Sequence, residues 1–137
     1  MITFHYLTDF SLNNKEKIAK WLEFSIHQEK KDLGEIAFVF CTDEYLLKKN
    51  IKYLEHNTLT DVIGFDYSLN DLLSGDIFIS VDRVNDNAND LDIPFDNEAQ
   101  RVMIHGVLHF AGYRDKNKKD KDIMRSKEDY YLSLRTF

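Results

Sequence analysis

Residues 36–41, Ile36-Ala37-Phe38-Val39-Phe40-Cys41, form an unbroken apolar run between Gly34 and the polar pair Thr42 and Asp43. A run this short has strand length rather than helix length, and a strand without polar alternation must be covered on both faces. It therefore predicts a buried central strand. Gly34 is expected to break the chain before it, and Thr42 or Asp43 to cap a helix after it. Cys41, inside the run, reads as a small buried hydrophobe, with a zinc-ligand role as the lesser alternative.

The other elements arrange themselves around that strand. Ile2, Phe4 and Tyr6 alternate with Thr3, His5 and Leu7, which predicts a first strand. Beyond Ser11, the residues Ile18, Trp21, Leu22, Ser25 and Ile26 recur at helical spacing through Gln28, with Trp21 in the core. The second helix is expected to turn Tyr45, Leu46, Ile51, Tyr53 and Leu54 inward, and a loop begins at Asn57 and Thr58. Residues 62–65 read as a strand in which Gly64 marks a bulge or a close backbone approach. Ser74 and Gly75 read as a turn before a strong strand over 77–81. The polar segment 82–92 is weakly helical and ends near Pro94; Asp96 or Asn97 is expected to cap the next helix. A last helix over about residues 120–134 should bring Ile123, Met124, Tyr131 and Leu134 to the core. The order is strand, helix, strand, helix, strand, strand, helix, helix, helix. The closely connected third and fourth strands suit a hairpin, and the helical crossovers permit parallel pairs. The expectation is an α+β fold: one domain over residues 1–137, a four-stranded mixed sheet, about five helices packed on it, and a metal site on a helix of the C-terminal half.

That metal site is read from His105-Gly106-Val107-Leu108-His109-Phe110-Ala111-Gly112-Tyr113-Arg114-Asp115. Residues i and i+4 of an α-helix share a face one turn apart, so both imidazoles can address one ion. Gly112 can end the helix in a left-handed conformation and let the chain return Asp115 as a third ligand. Two hydrogen-bonded core histidines would give the same pair. The added glycine and carboxylate, at the spacing of the long zinc-hydrolase signature, turn the reading toward metal. Three protein ligands leave an open position, as a catalytic zinc requires. The glutamate that serves zinc peptidases as general base is replaced by Gly106, which points to another kind of hydrolase.

The chain of 137 residues carries ten Phe and seven Tyr, 43% hydrophobic residues and a single Pro, a composition for a packed core rather than for disorder. No signal peptide or membrane span is read, and the lone cysteine suits the cytosol. The net charge of −6 is unusual for a nucleic-acid binder. Basic residues nevertheless cluster locally. Lys48, Lys49 and Lys52 lie within one stretch, and Lys116, Lys118, Lys119 and Lys121 follow the metal motif, either as a basic rim or as a solvated face.

Taken together, the metal motif, the block 50–65 and the strand Gly75-Asp76-Ile77-Phe78-Ile79-Ser80 resemble the YbeY family of bacterial endoribonucleases of rRNA maturation. The family signature reads roughly H-G-x-L-H-L-x-G-Y-D-H, and the three ordered blocks run from about residue 50 to the end. The resemblance implies a zinc-dependent, single-strand-specific endoribonuclease acting at the small-subunit rRNA 3′ end and in ribosome quality control, in the cytoplasm. RNA and ribosomal components would be its partners; a monomer is favoured, and no membrane is involved. His105, His109 and Asp115 would hold one Zn²⁺. Tyr53, His56 and Asp61 are cleft candidates for catalysis, although Tyr53 is also explained by packing and Asp61 by backbone capping. Lys48, Lys49, Lys52 and Arg114 are candidate RNA contacts, and Met124 is read as core.

Two departures stand out. The family's third histidine is Asp115 here, an anionic ligand that makes the ion a weaker Lewis acid and lets Mn²⁺ or Fe²⁺ compete better. Leu54 replaces an arginine, leaving Lys52 or Arg114 to supply the cation. The alternatives are a non-catalytic metal-binding ribosome-assembly factor and, behind it, a zinc peptidase. A two-histidine-one-carboxylate iron oxygenase is a poor fit to a helix-borne pair.

Overall fold

The protein, a computed structural model, is described over residues 1–54 and 60–137, the side chains of Tyr53 and Leu54 excepted. Among the described residues the elements are β1 (Ile2–Tyr6), α1 (Lys15–Gln28), β2 (Asp32–Cys41), α2 (Asp43–Leu54), β3 (Val62–Asp66), β4 (Leu72–Ser80), α3 (Val81–Leu91), α4 (Phe95–Phe110) and α5 (Lys118–Ser133). The sheet order is β1-β2-β4-β3. β1 and β4 flank β2 in parallel, and β3 pairs antiparallel with β4. The strand read from the unbroken apolar run is thus central, and the mixed four-stranded sheet is as expected.

Alternation along β2 and β4 divides the core. Ile36, Phe38 and Phe40 join Ile77 and Ile79 under Ile18, Leu22 and Ile26 of α1 and Val102, Met103 and Ile104 of α4. On the other face a smaller cluster forms from Cys41, Leu46 of α2 and Ile63, with Phe65 and Phe78 packed against it. Trp21 is buried, and its Nε1 donates to the Tyr131 carbonyl of α5 at 2.8 Å.

Several local expectations are corrected. Ser74 and Gly75 do not turn; they lie within β4, where Gly75 pairs with both neighbouring strands. Gly34 does not end the preceding element either, but sits inside β2 at a register irregularity between Leu33 and Ile36. The polar segment after β4 is a regular helix, capped by Ser80 Oγ, which accepts from Arg83 N–H at 3.1 Å. α4 begins at Phe95 with Pro94 as N-cap and no side-chain cap, so Asp96 and Asn97 lie inside its first turn. Thr42 does cap α2: its Oγ1 accepts from Tyr45 N–H at 3.2 Å. Ile51 and Ile123 are exposed rather than inward, because only a narrow stripe of α2 and of α5 meets neighbouring elements; Tyr45 is 39% exposed yet lays its ring on Phe78, with 6.3 Å between centroids. Cys41 is buried, and burial pushes its thiol up to about 12. It takes no part in the candidate metal group. Among the described residues no helix is long and apolar enough to cross a membrane.

Candidate metal centre

The last turn of α4 is seated by glycines. A Cβ at Gly64 would lie 3.1 Å from the Phe110 ring, and one at Gly75 would lie 2.7 Å from it. The two strands thus leave a slot for the residue next to His109. This is the close approach anticipated at Gly64, without a bulge there. Gly106 faces Ile77, which a Cβ would meet at 3.0 Å. The position after the first histidine therefore looks into the core, and a peptidase-type glutamate has no room on this turn.

The helix ends as its glycine suggests. Gly112, at φ +109°, donates its N–H to the His109 carbonyl at 3.0 Å, and Tyr113 donates its own to the Leu108 carbonyl at 3.0 Å. These are the paired bonds of a Schellman motif, which satisfy otherwise orphaned carbonyls and reverse the chain direction. The reversal brings Asp115 back over the histidines.

His105 Nε2 lies 3.0 Å from His109 Nε2, and Asp115 Oδ2 is 3.4 Å from the first and 3.3 Å from the second. Ligands at about 2.0–2.1 Å on a tetrahedral Zn²⁺ stand about 3.3–3.4 Å apart. Three electron-pair donors converging at these spacings suit a shared cation, so the residues present fit the group that the sequence implies. Exposure is graded from His105 at 18% through His109 at 36% to Asp115 at 43%, which leaves the site open on its solvent side.

Behind His105 stands a carboxylate that sequence reasoning missed. Nδ1 of His105 is 2.6 Å from Glu128 Oε2, and Glu128 Oε1 accepts from Arg101 Nη1 at 3.0 Å. Arg101 also holds Glu98, with Nε donating to Oε1 at 2.8 Å and Nη2 paired to Oε2. Both glutamates are buried. Burial pushes the Glu128 carboxyl up, but the hydrogen bonds from His105 and Arg101 and the charge of Arg101 outweigh it and hold it below its ordinary value. The hydrogen bonds to Glu98 and the one to Glu128 raise Arg101, against the burial that lowers it. With Glu128 accepting from Nδ1–H, the Nε2 lone pair of His105 is left facing the other two donors, the usual device for fixing a ligand tautomer.

An open cleft of about 410 Å³ adjoins the site, lined by Arg101, His105, Asp115, Lys121, Met124 and Arg125 among others. Met124 is 2% exposed and closes the floor as core. The cations lining this cleft are Arg101, Lys121 and Arg125 rather than those of α2. Lys121 belongs to the basic stretch that follows the motif in sequence; Arg125 lies beyond it. Lys48, Lys49 and Lys52 lie on α2, which packs on the opposite sheet face from α4. Lys49 Nζ stands 4.5 Å over the Phe78 ring there, and Lys48 pairs with Glu44 at 3.3 Å. Arg114 is exposed beside Asp115. Asp61 precedes β3; its carboxyl accepts from Asn87 Nδ2 at 3.3 Å, and its backbone carbonyl accepts from Ser80 N–H at 2.9 Å. Burial raises its pKa against the nearby charge of Arg101. His56 and the side chain of Tyr53 lie outside the described residues.

The sheet and the centre define a small α+β protein with two helix-borne imidazoles and one loop carboxylate arranged for a divalent ion. Comparison with known sequences takes the assignment further. The chain belongs to the endoribonuclease YbeY family, whose model matches residues 6–135. It is 51% identical over 134 residues to the endoribonuclease YbeY of Flavobacterium johnsoniae, covering 98% of this chain and 96% of that one. It is 52% identical to that of Flavobacterium psychrophilum with the same coverage, and 42% identical over 121 residues to that of Bacteroides thetaiotaomicron, covering 88% of each. The solution structure of TM1509 from Thermotoga maritima shares the fold, with a TM-score of 0.68 at 23% identity over 97% of this chain and 87% of that one.

Proposed function

We propose that this chain is a zinc-dependent endoribonuclease that cuts single-stranded RNA. It works as one domain over residues 1–137 in maturation of the small-subunit rRNA 3′ end and in ribosome quality control, as a cytoplasmic monomer acting on ribosomal components. The observation that carries the reading is the convergence of His105, His109 and Asp115 within 3.4 Å, in a chain whose relatives bear the name endoribonuclease. His105 Nε2, His109 Nε2 and Asp115 Oδ2 would hold the ion. When bound, the ion supplies Lewis acidity, drawing charge from a phosphoryl oxygen and making water easier to deprotonate.

The chain's own residues provide the setting. Glu128 keeps a proton on Nδ1 of His105 and orients the ring. Arg101 is committed to Glu98 and Glu128, so it stiffens this arrangement more than it contacts substrate. Lys121 and Arg125, the latter 3.9 Å from Asp129, line the cleft and offer charge to substrate phosphates. Asp61, whose pKa burial raises, is the described candidate for holding a proton near the site, with Tyr53 and His56 as its companions from the preceding segment. The anionic Asp115 makes Mn²⁺ and Fe²⁺ better competitors for the site than a third imidazole would.

The test is digestion of single-stranded RNA beside casein, with wild type and His109→Ala. The reading expects RNA products from wild type, a loss of at least about 100-fold in the variant, and intact casein. RNA cleavage that persists unchanged in His109→Ala would overturn the metal-dependent mechanism. Ribosome binding by both proteins with no cleavage by either would favour the assembly-factor alternative.

A further inference from the structure

We propose that Glu29 is a positioning residue for the metal centre, holding through the Tyr113 hydroxyl the loop that delivers Asp115. The inference rests on the metal reading above. An aspartate has only two side-chain torsions between its backbone and its carboxylate, so the backbone at 115 decides whether the oxygen reaches the histidines. The connection from α4 to α5 is pinned at its start by the Schellman bonds and at its end by Asn117, whose Oδ1 accepts from Asp120 N–H at 2.8 Å. Between these pins Arg114 and Lys116 are exposed.

Tyr113 ties this segment to a distant part of the chain. Its hydroxyl donates to Glu29 Oε1 at 2.6 Å, across 84 positions of sequence. Glu29 is the C-cap residue of α1, and its side chain is 12% exposed. Its other oxygen accepts from the Tyr131 hydroxyl and from Lys127 Nζ, the latter at 3.2 Å, both on α5. The Lys127 ammonium also stands 5.6 Å over the Tyr113 ring. One carboxylate thus joins the end of α1, the Asp115 loop and the helix that carries Glu128. Had this cluster served only to staple α1 to α5, Tyr131 and Lys127 would suffice; the Tyr113 hydroxyl adds the loop.

A double-mutant cycle with Co²⁺ as the probe separates positioning from general stabilisation. Affinity is read by chelator competition, and coordination by visible absorption, which is strong for tetrahedral and weak for higher-coordinate Co²⁺. Tyr113→Phe removes one oxygen and keeps the ring. It should weaken Co²⁺ binding about 10-fold and dim the absorption. In an Asp115→Ala background the same change should have no further effect, because the ligand it positions is gone. Glu29→Ala should match Tyr113→Phe, and Glu29→Gln, whose amide can bond the Tyr113 hydroxyl through its oxygen or its NH₂, should stay close to wild type. An unchanged affinity in Tyr113→Phe, or an equal loss in both backgrounds, overturns the positioning role alone. Failure of the wild type to bind Co²⁺ overturns the metal reading and the positioning role with it.

Discussion

Glu128 offers the sharpest probe of the centre's rigidity. Its two oxygens serve two donors, His105 Nδ1 at 2.6 Å and Arg101 Nη1 at 3.0 Å. Glu128→Gln keeps the shape but offers one acceptor oxygen and an NH₂ group. With the amide oxygen on His105 the NH₂ faces Arg101 Nη1, donor against donor, at a side chain 3% exposed; turned over, the NH₂ drives His105 to the tautomer whose Nε2 carries the proton. A lost hydrogen bond to a charged group costs about 1.5–3 kcal/mol. Arg101 keeps Glu98, which favours placing the amide oxygen on His105 and holds the cost to about 2 kcal/mol in urea unfolding of the metal-free protein. With the oxygen on His105 the Nδ1–H tautomer survives, and zinc affinity falls about 10-fold. Glu128→Ala removes that support and should cost closer to 100-fold, at about the upper end for outer-shell partners. Chelator competition on both variants gives the comparison. Zinc binding as tight in Glu128→Ala as in wild type would refute the claim that this carboxylate prepares His105 as a ligand.

Three further outcomes follow from the geometry. Cys41 is buried with its thiol pushed up to about 12, so it should resist thiol reagents at pH 8 until the protein unfolds; rapid native labelling would contradict that. Burial raises the Glu29 carboxyl, yet its hydrogen bonds to Tyr113, Tyr131 and Lys127 prevail and lower it below 4.5. A depressed carboxylate stabilises the fold above its unfolded pKa and loses that contribution as pH falls through the folded one. The stability gap between wild type and Glu29→Gln should therefore be full at neutral pH and shrink below 4.5, and a gap independent of pH in urea melts would contradict this. At Gly75 a Cβ would lie 2.3 Å from the Phe65 carbonyl oxygen and 2.7 Å from the Phe110 ring, so Gly75→Ala must displace strand or helix. Overpacking of this kind costs about 3 kcal/mol and should lower Tm clearly; an unchanged Tm would show that the slot is looser than drawn.

Much of this site was legible because its parts are local. The His105 and His109 spacing, the helix stop at Gly112 and the return of Asp115 all follow from backbone periodicity and one glycine. The central strand was legible for the same reason, since an apolar run of that length has few other uses. What escaped depended on tertiary partners. Gly75 reads as a turn residue in isolation, and the Phe65 carbonyl and the Phe110 ring together explain it within a strand. Ile51 and Ile123 are apolar but lie beside the packed stripes of their helices. Glu128 carried a readable signal: it falls at i+4 from Met124 and i−3 from Tyr131, so it continues the buried stripe of α5, where a charged residue demands a partner. Glu98, also buried, invites the same question. The partner that answers both is Arg101: its i+3 spacing from Glu98 is readable along α4, but its reach to Glu128 on α5 is tertiary.

The central claim is that His105, His109 and Asp115 together hold one divalent ion. Its most direct test is elemental analysis of the purified protein after exposure to zinc and dialysis, for wild type and for His105→Ala, His109→Ala and Asp115→Ala. Wild type should retain about one zinc per chain, and each variant should lose most of it. Metal-free wild type, or full zinc retained by all three variants, would contradict it.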